Sequence, residues 1–251
     1  LGHIITGLSL GSIYAIIALG YTMVYGIAKM LNFAHGDIIM VGGYTILVFL
    51  AINPIVSIIA AVIFCMIVGI VIEKVAYKPL RGASPLAVLI TAIGISYLLQ
   101  SIAQMAFGSA PKFVVIADLG TIKMGEIAIG YSTIITLACS VVIMIGLNLF
   151  VKFSRTGRAM IAVSEDKGAA QLMGIKINSV ISMTFIIGSF LAAVGSMLYF
   201  TNYPSVAITS GGMPGLKAFV AAVFGGIGSI PGAVIGAFII GICENLMKGL
   251  G

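Results

Sequence analysis

The chain has 251 residues, 61% of them hydrophobic and only 8% charged, against about 25% charged in an average soluble domain. So few charges cannot cover a water-soluble surface, and a chain of this length still exposes much of its area, so most of the surface must face lipid. The formal net charge of +6 comes from cations that cluster in loops between apolar runs; membrane orientation accounts for them, which argues against nucleic-acid binding.

Crossing a bilayer takes roughly 20 residues of apolar helix. The first uncharged run, Ile4–Ala28, lacks a basic leader and a small-residue cleavage site, and reads as a true span rather than a signal peptide. Its Gly7, Gly11, Ser12 and Gly20 suit close helix approach. Lys29 ends it. Residues 38–52 form a second, rather short span, and Asn53-Pro54 makes a tight break before the third, Pro54–Ile72. The loop 73–84 holds Lys74, Lys78 and Arg81, and Pro85–Phe107 is the fourth span. The next loop, to residue 126, carries Lys112, Asp118, Lys123 and Glu126, and residues 127–151 are the fifth span.

Residues 152–176 are the most polar stretch, with Lys152, Arg155, Arg158, Lys167 and Lys176 against Glu165 and Asp166. Residues 177–216 are uncharged and too long for one span; Asn202-Tyr203-Pro204 divides them, leaving a sixth span over 177–201. After Lys217, residues 218–243 are again uncharged and are interrupted by the Gly/Pro-rich run 225–232. The chain is therefore expected to be all-α and polytopic, with about eight membrane helices in one domain over residues 1–251.

The loops 73–84 and 152–176 lie an even number of spans apart, so both fall on the cytoplasmic side, and the charge-balanced loop 108–126 falls outside. Counting back places the N-terminus outside, provided the first two runs both cross fully. Two segments bear on that count. Residues 26–37 and 225–232 are either ordinary short loops or breaks in re-entrant half-helices, which line cavities because backbone at membrane depth needs partners.

Cys65, Cys139 and Cys243 each lie inside an apolar run without metal-ligand spacing, and read as small packing residues. Two histidines 32 residues apart, His3 and His35, make no metal site. No serine-nucleophile motif of the G-x-S-x-G type occurs. No G-x-x-x-x-G-K-[ST] phosphate loop occurs either, so the chain is not itself an ATPase.

Among polar residues at span edges, Asn32, His35 and Asp37 open the second run. Ionisable groups near the membrane interior often mark pathways, and a role in translocation is one reading of residues 32–37. The other is an interfacial cap, with Asp37 complementing a helix dipole. Gln100 and Gln104 share a face of the fourth span, lining a polar path or, the favoured reading, bonding between helices. Glu73 with Lys74, and Glu244 with Lys248, read as snorkelling anchors.

Residues 157–175 are rich in helix formers, with Ala159, Ala162, Ala169, Ala170 and Met173 roughly at helical spacing and Gly174 placed to end the helix in a left-handed cap. This predicts a short amphipathic helix in a cytoplasmic loop, whose small residues suit a cleft on a partner. A basic loop that only fixes topology is the alternative.

This stretch, with Gly157-Arg158-Ala159, the Glu165-Asp166 pair, Ala169-Ala170 and Gly174-Ile175, resembles the coupling loop of bacterial ABC importer permeases. The segments 7–15, 18–26 and 32–37 and the C-terminal run 225–233 resemble the branch serving branched-chain amino acids, and the likeness covers nearly the whole chain. Gly168 departs from the pattern, and since Gly lowers helix propensity by about 1 kcal/mol, the extent of the coupling helix is open.

The resemblance implies a membrane permease in the bacterial cytoplasmic (inner) membrane that binds no cofactor. Its partners would be a second, related permease subunit, two ATP-binding cassette subunits that bind the ATP, and an extracytoplasmic substrate-binding protein. Gly157, Arg158, Ala159, Ala162, Glu165, Asp166, Ala169, Ala170 and Gly174 would couple to an ATPase, and branched-chain amino acids would be the cargo. A urea or short-chain amide permease of the same family is the nearest alternative. An ion-coupled transporter would need intramembrane carboxylates, which are almost absent here, and an intramembrane enzyme would need catalytic groups.

Overall fold

The structure, a computed structural model, describes residues 2–116, 120–124 and 127–250. Two acids of the outer loop, Asp118 and Glu126, lie outside the described residues. Helix α1 (Gly2–Ala28) is the central rod, packed by α5 (Tyr131–Phe153), α8 (Ile177–Asn202), α9 (Gly212–Phe224) and α10 (Ile230–Leu250). It runs antiparallel to α10, with Gly11 against the backbone of Phe238, so small residues let the two axes close as the sequence predicts.

Lys29, at φ 58, turns the chain sharply after α1. Residues 29–34 then run back along that helix, and α2 (His35–Leu50) begins beside Gly20. Gly20 lies eight residues before the end of α1, which is about 12 Å at 1.5 Å per residue, so α2 starts well inside the bundle. It has 16 residues, about 24 Å, short of the roughly 30 Å of a bilayer core.

Helix α3 (Pro54–Ile72) is started by Asn53, whose Oδ1 accepts from Ile55 N–H at 2.8 Å, with Pro54 in the first turn, where its missing N–H costs nothing. A π-helical turn, Glu73–Tyr77, follows and rotates both Glu73 and Tyr77 into the protein. Helix α4 (Pro85–Phe107), capped by Ser84, returns the chain to the opposite end. There a small β-layer forms: β1 (Lys112–Phe113) pairs antiparallel with β4 (Ser205–Val206), and β2 (Thr121–Met124) with β3 (Ile127–Gly130). The fifth span therefore begins at Tyr131, because residues 127–130 are spent in the hairpin.

Helix α5 leads to two short helices, α6 (Arg155–Glu165) and α7 (Lys167–Leu172), and α8 recrosses. The chain then dips inward before α9, whose 13 residues are also too few to cross. Among the described residues, six helices are long and apolar enough to span a membrane, and α2 and α9 are shorter apolar helices. Against the expected eight or so membrane helices, six are of spanning length, because α2 and α9 are too short to cross. Residues 26–37 are the way into a half-helix, whereas 225–229 is a tight turn between α9 and α10, and residues 230–232 already belong to α10. Lys217 does not bound a span; it sits inside α9.

Lys29, the turn 73–84, the helices α6 and α7 and the α9–α10 turn all gather at one end of the bundle. Lys167 donates to Ala28 O there at 3.1 Å, Arg81 bonds Asn178, and Gly228 abuts Gly26. The basic loops therefore share one side, as the charge distribution requires.

Candidate functional site

The half-helices α2 and α9 meet N-terminus to N-terminus in the bundle interior. Their backbones touch: a Cβ on Gly36 would stand 2.7 Å from Gly211 O, and one on Gly215 would meet the Gly36 Cα at 2.7 Å. Only glycine permits that approach, and both helix dipoles direct their positive ends at the junction.

Beside the junction is a cavity of about 300 Å³. Its aromatic and aliphatic wall is Tyr21, Phe33, Ile93, Tyr97 and Leu216, and its polar side is Asp37, Ser96 and Gln100. Asp37 sits in the first turn of α2 and is 2% exposed. Gln100 Nε2 donates to Asp37 Oδ1 at 2.8 Å, and Ser96 also bonds the carboxylate. Ser96 and Gln100 are one helical turn apart on α4, so the face seen in the sequence carries both. A larger cavity, about 420 Å³ between α2, α3 and α4, is walled by side chains such as Tyr44, Phe64 and Phe107 and offers little polar chemistry.

The five residues considered for translocation divide. Asp37 and Gln100 converge on the cavity; this is an interhelical bond and a polar lining at once. Asn32 is turned away, its Oδ1 accepting from Tyr77 O–H at 3.0 Å while the same hydroxyl reaches Leu31 O at 3.2 Å. His35 is buried between Gly20 and Tyr21, with ring centroids 4.6 Å apart. Gln104 is exposed and lines neither cavity.

Two expectations about anchors are corrected. Glu73 does not snorkel: its side chain is 0% exposed, paired with Arg81 and accepting from Ser182 O–H at 2.8 Å. The π-helical turn, invisible in hydropathy, points it inward. Glu244 does pair with Lys248 at 2.9 Å, but it also accepts from Tyr14 O–H at 2.9 Å and Lys217 Nζ at 2.6 Å. That cluster ties α9 to α1 and α10. Lys217 and Glu244 are distant in sequence, and no local pattern links them.

At the basic end, α6 and α7 replace the single amphipathic helix expected over residues 157–175. Ser154 Oγ accepts from Gly157 N–H at 2.8 Å and starts α6. Asp166, extended at φ −147, ends α6 and starts α7, its Oδ1 accepting from Gly168 N–H at 2.7 Å and Ala169 N–H at 3.1 Å. Gly168 thus stands in a first turn, where its propensity matters less than the cap. Gly174 has φ +83, the left-handed position predicted for it.

Gly157 and Ala170 are buried, Ala159 and Ala162 half-buried, and Arg158, Glu165, Asp166 and Ala169 exposed. Leu172 and Met173 project at 90% and 82% exposure. Burial, and the cations Lys29 and Arg81, hold the Lys167 ammonium below its usual pKa.

The three cysteines are free, Cys65 buried, Cys139 half-buried and Cys243 exposed. Among the described residues no cluster of metal-ligating side chains occurs.

Comparison with known proteins places this geometry. Residues 3–251 match the family described as branched-chain amino acid transport system / permease component. The chain is 40% identical to the high-affinity branched-chain amino acid transport system permease protein BraD of Pseudomonas aeruginosa, over 97% of this chain and 85% of that protein. It is also 40% identical to the corresponding protein LivH of Escherichia coli K12, over 98% and 85%. To the probable branched-chain amino acid transport permease protein LivH of Methanocaldococcus jannaschii it is 31% identical, over 94% and 77%. No solved structure matches the chain. With six apolar spans, two half-helices and a match along nearly its whole length, the chain belongs to the family of branched-chain amino acid transport permeases.

Proposed function

We propose that this chain is the membrane-spanning permease subunit of an ATP-driven importer of branched-chain amino acids. It is a multi-pass protein of the bacterial cytoplasmic membrane. One observation carries the reading: two half-helices meet through glycine backbone inside a six-span bundle, beside a small cavity holding a buried carboxylate. Broken helices that converge near mid-membrane are how transporters build a cargo site while keeping their backbone satisfied. In this reading Asp37 and Gln100 face the path. Asn32 and His35 brace the segment that leads into it, and Gln104 faces lipid or a neighbouring subunit.

The chain pairs with a related permease subunit. Two ATP-binding cassette subunits hold the nucleotide, so the permease needs no cofactor, and an extracytoplasmic binding protein delivers the amino acid. Residues 152–176 are the cytoplasmic coupling loop, with α6 and α7 resting in a groove on an ATPase. Leu172 and Met173 supply the apolar tip, and Arg158, Glu165, Asp166 and Ala169 the exposed face. Lys167 joins that loop to the end of α1 and so to the segment entering α2.

The test is reconstitution of the complex in proteoliposomes. Leucine uptake should require ATP and both cassette subunits, and paired Asp substitutions at Leu172 and Met173 should abolish it while the permease still inserts. Uptake by the permease alone would refute the reading.

A further inference from the structure

We propose that the Asp37 cavity is an intramembrane contact for the α-ammonium group of the transported amino acid, with the Tyr21, Phe33 and Leu216 wall receiving its apolar side chain. This rests on the permease reading above and gives its path a chemistry. Asp37 is 2% exposed, yet it lines a cavity instead of being packed shut. Its partners are neutral, Gln100 and Ser96. No Lys or Arg lines the cavity, and among the described residues no ion pair includes Asp37.

The contrast lies within the same chain. Glu73 and Glu244 each hold a cation supplied by the protein, Arg81 and Lys217. A carboxylate removed from water without a counter-charge is expensive. Glu73 and Glu244 meet that demand permanently; Asp37 has no fixed cation, and a passing ammonium supplies one for the time it is there. The N-terminus of α2 offsets part of the charge, which keeps the contact weak enough for release. At about 300 Å³ the cavity is at the small end of the roughly 300–1,000 Å³ range of ligand sites, suited to one small molecule with one apolar arm.

The experiment uses the complete complex in proteoliposomes with leucine-loaded binding protein. Asp37→Asn is expected to lower leucine uptake at least about tenfold, with Asp37→Glu recovering part of it, the variants being compared at equal amounts of assembled complex. Ser96→Phe fills the cavity by bulk. Uptake lost in Ser96→Phe but normal in Asp37→Asn overturns the ammonium contact and leaves the path reading standing; normal uptake in both overturns the path as well.

A second measurement does not depend on the Asp37 variants folding. Ser96→Cys, with Cys65, Cys139 and Cys243 replaced by Ala, is labelled with a cationic aminoethyl and an anionic sulfonatoethyl thiosulfonate, each rate normalised to a free thiol. The cationic reagent should react about tenfold faster, and L-leucine should slow it. Equal rates without leucine protection overturn the proposal.

Discussion

Replacing Arg81 with Ala would strand a carboxylate inside the bundle. Glu73 has 0% side-chain exposure and two partners, the Arg81 guanidinium and the Ser182 hydroxyl at 2.8 Å. The same guanidinium donates to Asn178 Oδ1, so one side chain ties the π-helical turn after α3 to the start of α8. Without it Glu73 keeps a single neutral donor. Removing one member of a buried pair costs about 3–5 kcal/mol, most of it the orphaned charge. At about 2–4 °C per kcal/mol for a chain of this length, the melting temperature should fall by about 6–20 °C.

The double variant Glu73→Gln with Arg81→Ala removes the stranded charge as well and should regain more than half of that loss. The chain has no Trp, so unfolding in detergent is best followed by far-UV circular dichroism. A shift under about 2 °C for Arg81→Ala, or strict additivity of the two substitutions, would refute the argument that this pair is a buried, coupled unit.

Three further outcomes follow from local geometry. Tyr77→Phe leaves the Asn32 amide oxygen and Leu31 carbonyl without their donor, at about 1–3 kcal/mol; hydrogen exchange across residues 29–34 should speed up while α4 stays protected. Gly174→Ala puts a side chain at φ +83 with open space around it, so strain alone acts. Stability should drop by about 1–2 kcal/mol, and stimulated ATP hydrolysis should weaken more than basal hydrolysis does.

Lys167 gives a pH dependence. Its folded-state pKa is held below 10.5 by burial, Lys29 and Arg81, so in the window between the folded and unfolded values the unfolded chain binds more protons. Its destabilising effect is full below the folded pKa and is relieved as pH rises through it. The melting temperature of the parent relative to Lys167→Met should therefore climb from neutral pH toward 10.5. A flat or falling difference would contradict that sign.

Much of this architecture is legible along the chain. Uncharged runs locate five of the six spans, because a helix in lipid needs no more than length and apolarity; the last, α10, begins within the run 218–243, which the sequence does not divide into spans. The cations assign loops 73–84 and 152–176 to one side, and the structure gathers both there. Gly174 is readable as a cap because a left-handed residue after a run of helix formers is a local matter. Gln100 is found because Gln in an apolar span stands out, but that its partner is Asp37, 63 residues away, is not. Composition also misleads at Glu73, where proximity to a loop suggests a snorkelling anchor, and at Lys217, which stands between two uncharged runs but lies inside α9.

Sequence alone therefore determined that this chain lives in lipid, where its long apolar runs lie, and which loops carry its charge, since each follows from summed transfer energies of neighbouring residues; its count of about eight membrane helices exceeds the six of spanning length among the described residues. Only the tertiary structure decided that α2 and α9 stop midway and abut through Gly36 and Gly211, that Asp37 faces a cavity without a cation, and that Glu73 and Glu244 each have one. Those are relations between residues brought together by packing, and the energy of a buried charge depends on what surrounds it in space, which no window along the chain contains.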